Sequence, residues 1–139
     1  MKIHVYAICW NEAQLLPFFI RHYQQFADKI FFCDNESTDN SKNIISSSDK
    51  CYYNRYASDN EMRDDLLRQL KNNVWKQSRG KADYVIVVDI DEFVYSKRGL
   101  IRDLKILKFL GFSIIRPVGY DMVSESFEWN SLKQITELS

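Results

Sequence analysis

Apolar and polar positions fall in blocks along the chain, and the period of the pattern changes from block to block. Ile3 to Cys9 is a short apolar run rich in β-formers and reads as a buried strand. Beyond it Leu15, Phe18, Phe19, Tyr23 and Phe26 recur at spacings of three and four, which predicts an amphipathic helix opening at Asn11 or the residue before it. Pro17 falls within the first turns, where a missing amide donor is tolerated. A second buried strand is expected over Lys29 to Cys33, running into the polar stretch Asp34 to Asn40. A short helix over Ser41 to Ser47 and a third strand over Cys51 to Tyr56 follow. Met62, Leu66, Leu70 and Val74 mark a helix from Glu61 to about Gln77. Asp83 to Asp89 contains Tyr-Val-Ile-Val-Val, the most apolar strand in the chain. Leu100, Ile101, Leu104 and Leu107 predict a last helix, and Phe112 to Val118 a further strand.

Repeated strand–helix alternation predicts the α/β class, a three-layer sandwich with a mostly parallel central sheet covered on both faces. No linker or internal repeat divides the sequence, so residues 1–139 are assigned to one domain. Nineteen Lys and Arg cancel nineteen Asp and Glu, which removes the positive surface that a nucleic-acid partner or an anionic membrane needs. No apolar run is long enough to cross a bilayer. Cys9, Cys33 and Cys51 are odd in number, sit in or beside apolar runs, and lack metal-ligand spacing; buried free thiols and a cytoplasmic location are expected. With only four glycines, both the dinucleotide-binding fingerprint and the Walker A loop are excluded. His4, His22, Trp75 and Trp129 are assigned to packing, and Tyr52, Tyr53 and Tyr56 to a half-buried strand.

In open parallel sheets ligands bind beyond the carboxyl ends of the strands. Three predicted strand ends carry polar clusters: Trp10-Asn11-Glu12, Asp34 through Asp39, and Asp89-Ile90-Asp91-Glu92. Taken singly, each reads as helix capping, with Asn11 before the first helix and Thr38 or Asn40 before the second. Three on one edge read as a site. Asp89 and Asp91, two apart on an extended segment, place their Cα atoms about 6.5–7 Å apart. Carboxylates this close repel, and a divalent cation relieves the repulsion. Oxygen donors alone select Mg²⁺ or Mn²⁺ over zinc.

These motifs, in this order on alternating strands and helices, resemble the GT-A glycosyltransferases, and among them glycosyltransferase family 2 and its relatives. The resemblance spans about residues 3 to 120. It implies a Rossmann-like nucleotide-binding fold that takes a nucleotide-diphosphate sugar, with UDP the expected carrier. It implies that Trp10 stacks near the base, that Glu12 helps hold the nucleoside, and that Asp34 and Asn35 lie beside the base. Asn35 departs from a second aspartate frequent in the family, and Glu36 from a common glycine. Asp89 contacts ribose or metal and Asp91 ligates the metal under the same resemblance. Asn73 matches the asparagine of an Arg-Asn pair upstream of the Asp-x-Asp motif, whereas Arg63 and Lys71 read as solvated helix charges.

Sugar transfer develops negative charge on the leaving phosphate, which a cation stabilises without proton transfer. An inverting enzyme also needs a base for the hydroxyl of the glycan or other acceptor. Asp121 is the best candidate among Asp121, Glu125 and Glu128, none of which sits in a motif, and the acceptor part is expected to be short or missing. Two rival readings stand beside transfer. One is a truncated or degenerate nucleotide-sugar-binding domain without turnover. The other is a Toprim-type Mg²⁺-dependent domain, which also pairs a Glu after one strand with Asp-x-Asp after a later one; neutral charge and the Asp34–Asp39 run weigh against it.

Overall fold

The computed structural model describes residues 1–57 and 64–121. Four strands, β1 (Ile3–Cys9), β2 (Lys29–Asp34), β3 (Cys51–Arg55) and β4 (Tyr84–Asp89), form one all-parallel sheet in the order β3-β2-β1-β4. Helices α1 (Leu16–Tyr23), α2 (Ser41–Ser46), α3 (Asp64–Val74) and α4 (Leu100–Phe109) alternate with or follow them. The class is α/β and the layering that of a three-layer sandwich, as the alternation predicts. Close contacts divide the chain into two compact units, Met1–Glu92 and Phe93–Ser139, where the sequence alone suggests one domain.

In the first unit β1 and β2 are buried on both faces, the environment a central parallel strand requires. Successive side chains point to opposite faces. Val5, Ala7, Ile30 and Phe32 look towards α1 and α2, with Phe19 of α1 meeting Phe32 edge-on. Tyr6, Phe31, Cys33, Val85 and Val87 look the other way and pack with Leu70, Val74 and Trp75. Tyr6, Phe31 and Tyr52 stack in sequence across β1, β2 and β3 on that face, with ring centroids 4.7 and 5.2 Å apart.

Helix α1 starts five residues later than the periodicity suggests. Asn11 adopts a left-handed φ of 56°, and the amides of Leu15 and Leu16 both donate to the Glu12 carbonyl. A turn thus precedes the helix, and Pro17 falls in its first turn, where no helical amide is lost. The third predicted helix is α3 continued by a 3₁₀ turn over Trp75–Ser78; its expected start at Glu61 lies outside the described residues.

In the second unit, Gly111 (φ 84°) ends α4 with two bonds, its own amide to Lys108 O and that of Phe112 to Leu107 O. This is the Schellman arrangement, which needs a left-handed residue at that place. The strand expected over Phe112 to Val118 does not form: residues 112–121 are irregular, with Ile114 79% and Val118 75% exposed. A β-rich run becomes a strand only where a neighbouring strand takes up its amides, and these join no ladder.

The end of the 3₁₀ turn is tied to β1 by a buried polar cluster. The Ser78 hydroxyl lies 2.6 Å from His4 Nδ1 and 2.7 Å from the Tyr6 hydroxyl. Burial, with Lys29 adding to it, lowers the His4 pKa below its ordinary 6.5. The unfolded chain therefore binds more protons than the folded one just below that value, and stability falls as pH drops through it. The urea midpoint of the wild type is expected to decline from pH 7 to pH 5, and His4→Gln to lose the part of that decline due to this ring. Parallel pH profiles for the two proteins would disprove the assignment.

Candidate functional site

Parallel register brings the polar clusters to one edge. Cys9 is paired with Asp34 and Ile8 with Asp89, so β1, β2 and β4 end side by side. The chain leaves β1 for β2 on one side and returns by way of α3 to β4 on the other. β1 and β4 therefore flank the switch point where open α/β sheets form their crevice. Trp10 and Glu12 follow one of these strands and Asp91 the other.

The loops after β1 and β2 are laced together. Asn11 Oδ1 accepts from the amides of Thr38 (2.8 Å) and Asp39 (3.3 Å), and the Asn11 amide donates to Ser37 Oγ (2.8 Å). Asp39 accepts from the amides of Ala13 (3.0 Å) and Ser41 (2.9 Å), and Ser41 Oγ from that of Glu12 (3.2 Å). Asn11 is therefore not a cap for α1. It caps the neighbouring loop, and Asp39, rather than Thr38 or Asn40, takes the first amide of α2. These bonds hold the Asp39 carboxyl below its ordinary value although burial, the largest single influence, pushes it up.

Asp34 and Asn35 turn inward. Asp34 is fully buried, and its carboxylate accepts from the Ser37 amide (3.0 Å), the Ser37 hydroxyl (2.5 Å) and the Tyr53 hydroxyl (2.8 Å). Asn35 is buried too, its amide donating to Cys9 O. Burial and the Asp34 carboxylate raise the Tyr53 hydroxyl to about 12, so it remains a donor at any physiological pH. Asp34 thus shapes the loop from within. Glu36, beside it, adopts a left-handed φ of 52°, the conformation a glycine would take without strain, and its carboxylate pairs with Arg55.

On the open side of the edge stand Trp10, 36% exposed, half-buried Glu12 and exposed Asp91 and Glu92. Burial, then the charges of Asp91 and Asp39, raise the Glu12 carboxyl above its ordinary 4.5. The last strand end is held by its own contacts: Glu92 Oε2 accepts from the Asp89 amide (2.9 Å), and the Tyr23 hydroxyl donates to Glu92 O (2.9 Å). Asp89 Oδ2 lies 2.7 Å from Lys71 Nζ. Lys71 is thus no merely solvated helix charge. The i, i+4 apolar spacing of α3 aims one face at the sheet, and Lys71, next to Leu70, is carried to the strand end; that signal was readable but ambiguous.

No family model matches the chain, and no curated protein does either.

One expected residue does not join this edge. Asn73, exposed on α3, donates to Gln69 O (2.8 Å) and accepts from Lys76 Nζ (2.7 Å), contacts local to the helix. Asp121 lies exposed in the irregular part of the second unit. Glu125 and Glu128 lie outside the described residues. Among the described residues no three His, Cys, Asp or Glu side chains stand close enough to hold a cation by themselves. Mg²⁺ commonly takes one or two carboxylates and completes its shell with water and phosphate oxygens. The oxygen donors of half-buried Glu12 and exposed Asp91 fit that chemistry.

Two outcomes follow from this geometry. Ser37→Ala removes a hydroxyl that both donates to buried Asp34 and accepts from Asn11, and should cost about 1–3 kcal/mol in urea unfolding. An unchanged midpoint would mean the lacing carries no energy. Glu12 binds its proton more tightly folded than unfolded, so its contribution to stability is lost as pH rises above 4.5. Glu12→Gln should therefore melt higher than wild type at pH 7, with the gap closing below pH 4.5; a lower melting point at pH 7 would refute the repulsion.

Proposed function

We propose that this chain binds a nucleotide-diphosphate sugar, with UDP as carrier, at the carboxyl edge of the sheet and is a metal-dependent glycosyltransferase of the GT-A type. The observation that carries the reading is that β1 and β4 end side by side at the switch point, so that Glu12 and Asp91 follow adjacent strand ends. Such a site has an excess of negative charge and no fold-stabilising use for it. Glu12 and Asp91 would hold Mn²⁺ or Mg²⁺, with Asp89 beside them on ribose or metal. Bound there, the cation supplies positive charge against the diphosphate as it leaves. Trp10 offers an exposed aromatic face for a base, and the laced loops of β1 and β2 hold that face in place without moving part. Asp34 and Asn35 contribute from below, by shaping the loop.

The acceptor hydroxyl needs a base, which donor binding does not require. Binding and turnover are thus separable. Thermal unfolding with UDP, GDP, CDP and ADP, each with and without Mn²⁺, should show one diphosphate raising the midpoint by several degrees only with metal. A ligand at one hundred times its Kd adds about 2.7 kcal/mol. Asp91→Asn should abolish that metal-dependent shift and leave the unliganded midpoint unchanged or slightly higher, since Asp91 is exposed and opens no cavity. Equal shifts in both proteins, or shifts insensitive to chelator, would overturn the reading. Binding with no sugar transfer to any acceptor would favour a donor-binding domain without turnover.

A further inference from the structure

The Lys71–Asp89 pair is an ion pair in a place where the proposed chemistry wants a free carboxylate. Lys71 sits in the last turn of α3 and Asp89 ends β4, 18 residues apart, with the ammonium 2.7 Å from Oδ2. The side chains are 39% and 44% exposed, so water reaches both, and the contact can open without leaving a buried charge stranded. Asp89 also acts electrostatically on Tyr56, whose hydroxyl is raised to about 12, by burial first. Lys71 is the cation bound to this carboxylate.

We propose that Lys71 is a built-in counter-ion that occupies Asp89 until a cation arrives together with a diphosphate, so that the site selects the cation–diphosphate complex over the free cation. The inference rests on the reading of this edge as a donor site. A bare divalent ion that uses Asp89 must displace an ammonium already hydrogen-bonded to it and leave that ammonium next to the new charge, which weakens its binding. A cation that comes with a diphosphate brings anionic oxygens that compensate the released ammonium, so the same displacement costs less. Lys71 therefore couples the two ligands: each binds better when the other is present, and by linkage the coupling is the same in both directions. Lys71 acts through Asp89 and is a positioning residue.

The test measures binding, by calorimetric titration of Mn²⁺ alone, of UDP alone and of UDP at saturating Mn²⁺. It uses wild type, Lys71→Met, Lys71→Arg and Lys76→Met. Methionine keeps most of the lysine stem on a half-exposed helix face and removes the charge. Lys76 bonds Asn73 rather than an acid and controls for the loss of any positive charge. Expected is a rise of about tenfold in the affinity of Lys71→Met for Mn²⁺ alone, the scale of one hydrogen bond to a charged group. The factor by which Mn²⁺ improves UDP binding should shrink correspondingly in that variant, while Lys71→Arg and Lys76→Met stay within about twofold of wild type. Equal Mn²⁺ affinity in Lys71→Met and wild type, or an equal rise in Lys76→Met, overturns the counter-ion role. If wild type still binds UDP with Mn²⁺ in that case, the donor site stands without it. If wild type and Lys71→Met bind neither ligand, both fall.

Discussion

The parallel pairing of β1 with β2 on one side and β4 on the other positions everything else in the first unit. Each strand of a parallel pair ends at the same edge, and the register sets Cys9 level with Asp34 and Ile8 level with Asp89. The residues that follow each strand are then neighbours whatever their separation in sequence. Three polar segments, which as loops on separate surfaces would be ordinary caps, become one cluster. The crevice lies between β1 and β4, because the chain leaves β1 for β2 on one side and returns by way of α3 to β4 on the other.

Within that cluster the side chains divide by burial. Asp34, Asn11, Ser37, Asp39 and Ser41 face one another and close the hydrogen-bond needs of two loops, so their polarity is consumed by structure. Glu12 is half-buried and its carboxyl is raised by burial first and then by Asp91, while Asp91 stands exposed. Asp89 lies between the two cases, neutralised by a lysine from the opposite layer. The same eight polar residues thus separate into a hydrogen-bonded floor and a charged rim.

Much of this was legible beforehand, for identifiable reasons. Strands β1, β2 and β4 are dense runs of β-branched and aromatic residues, and α4 and α3 have clean helical spacing, so local pattern and global fold agree. The start of α1 departs from the periodicity because a turn stabilised by Asn11 at positive φ leaves no trace in apolar spacing. The run from Phe112 to Val118 is β-rich yet irregular because strand formation depends on a partner, which composition does not reveal.

What the amino-acid order by itself determined is the alternation of buried strands and amphipathic helices, and through it the α/β class and the edge where polar residues gather. Those follow from the period of the pattern and from the geometry of parallel sheets. Only the tertiary structure decided which polar residues are open and which are spent. Asp34 and Asp91 are both aspartates at or just beyond strand ends, yet one is sealed under Ser37 and Tyr53 and the other faces water. Lys71 and Asn73 stand two apart on one helix, but a helix turns about 200° in two residues, so only Lys71 reaches β4. Direction in space is set by packing against distant residues, and no local pattern encodes it.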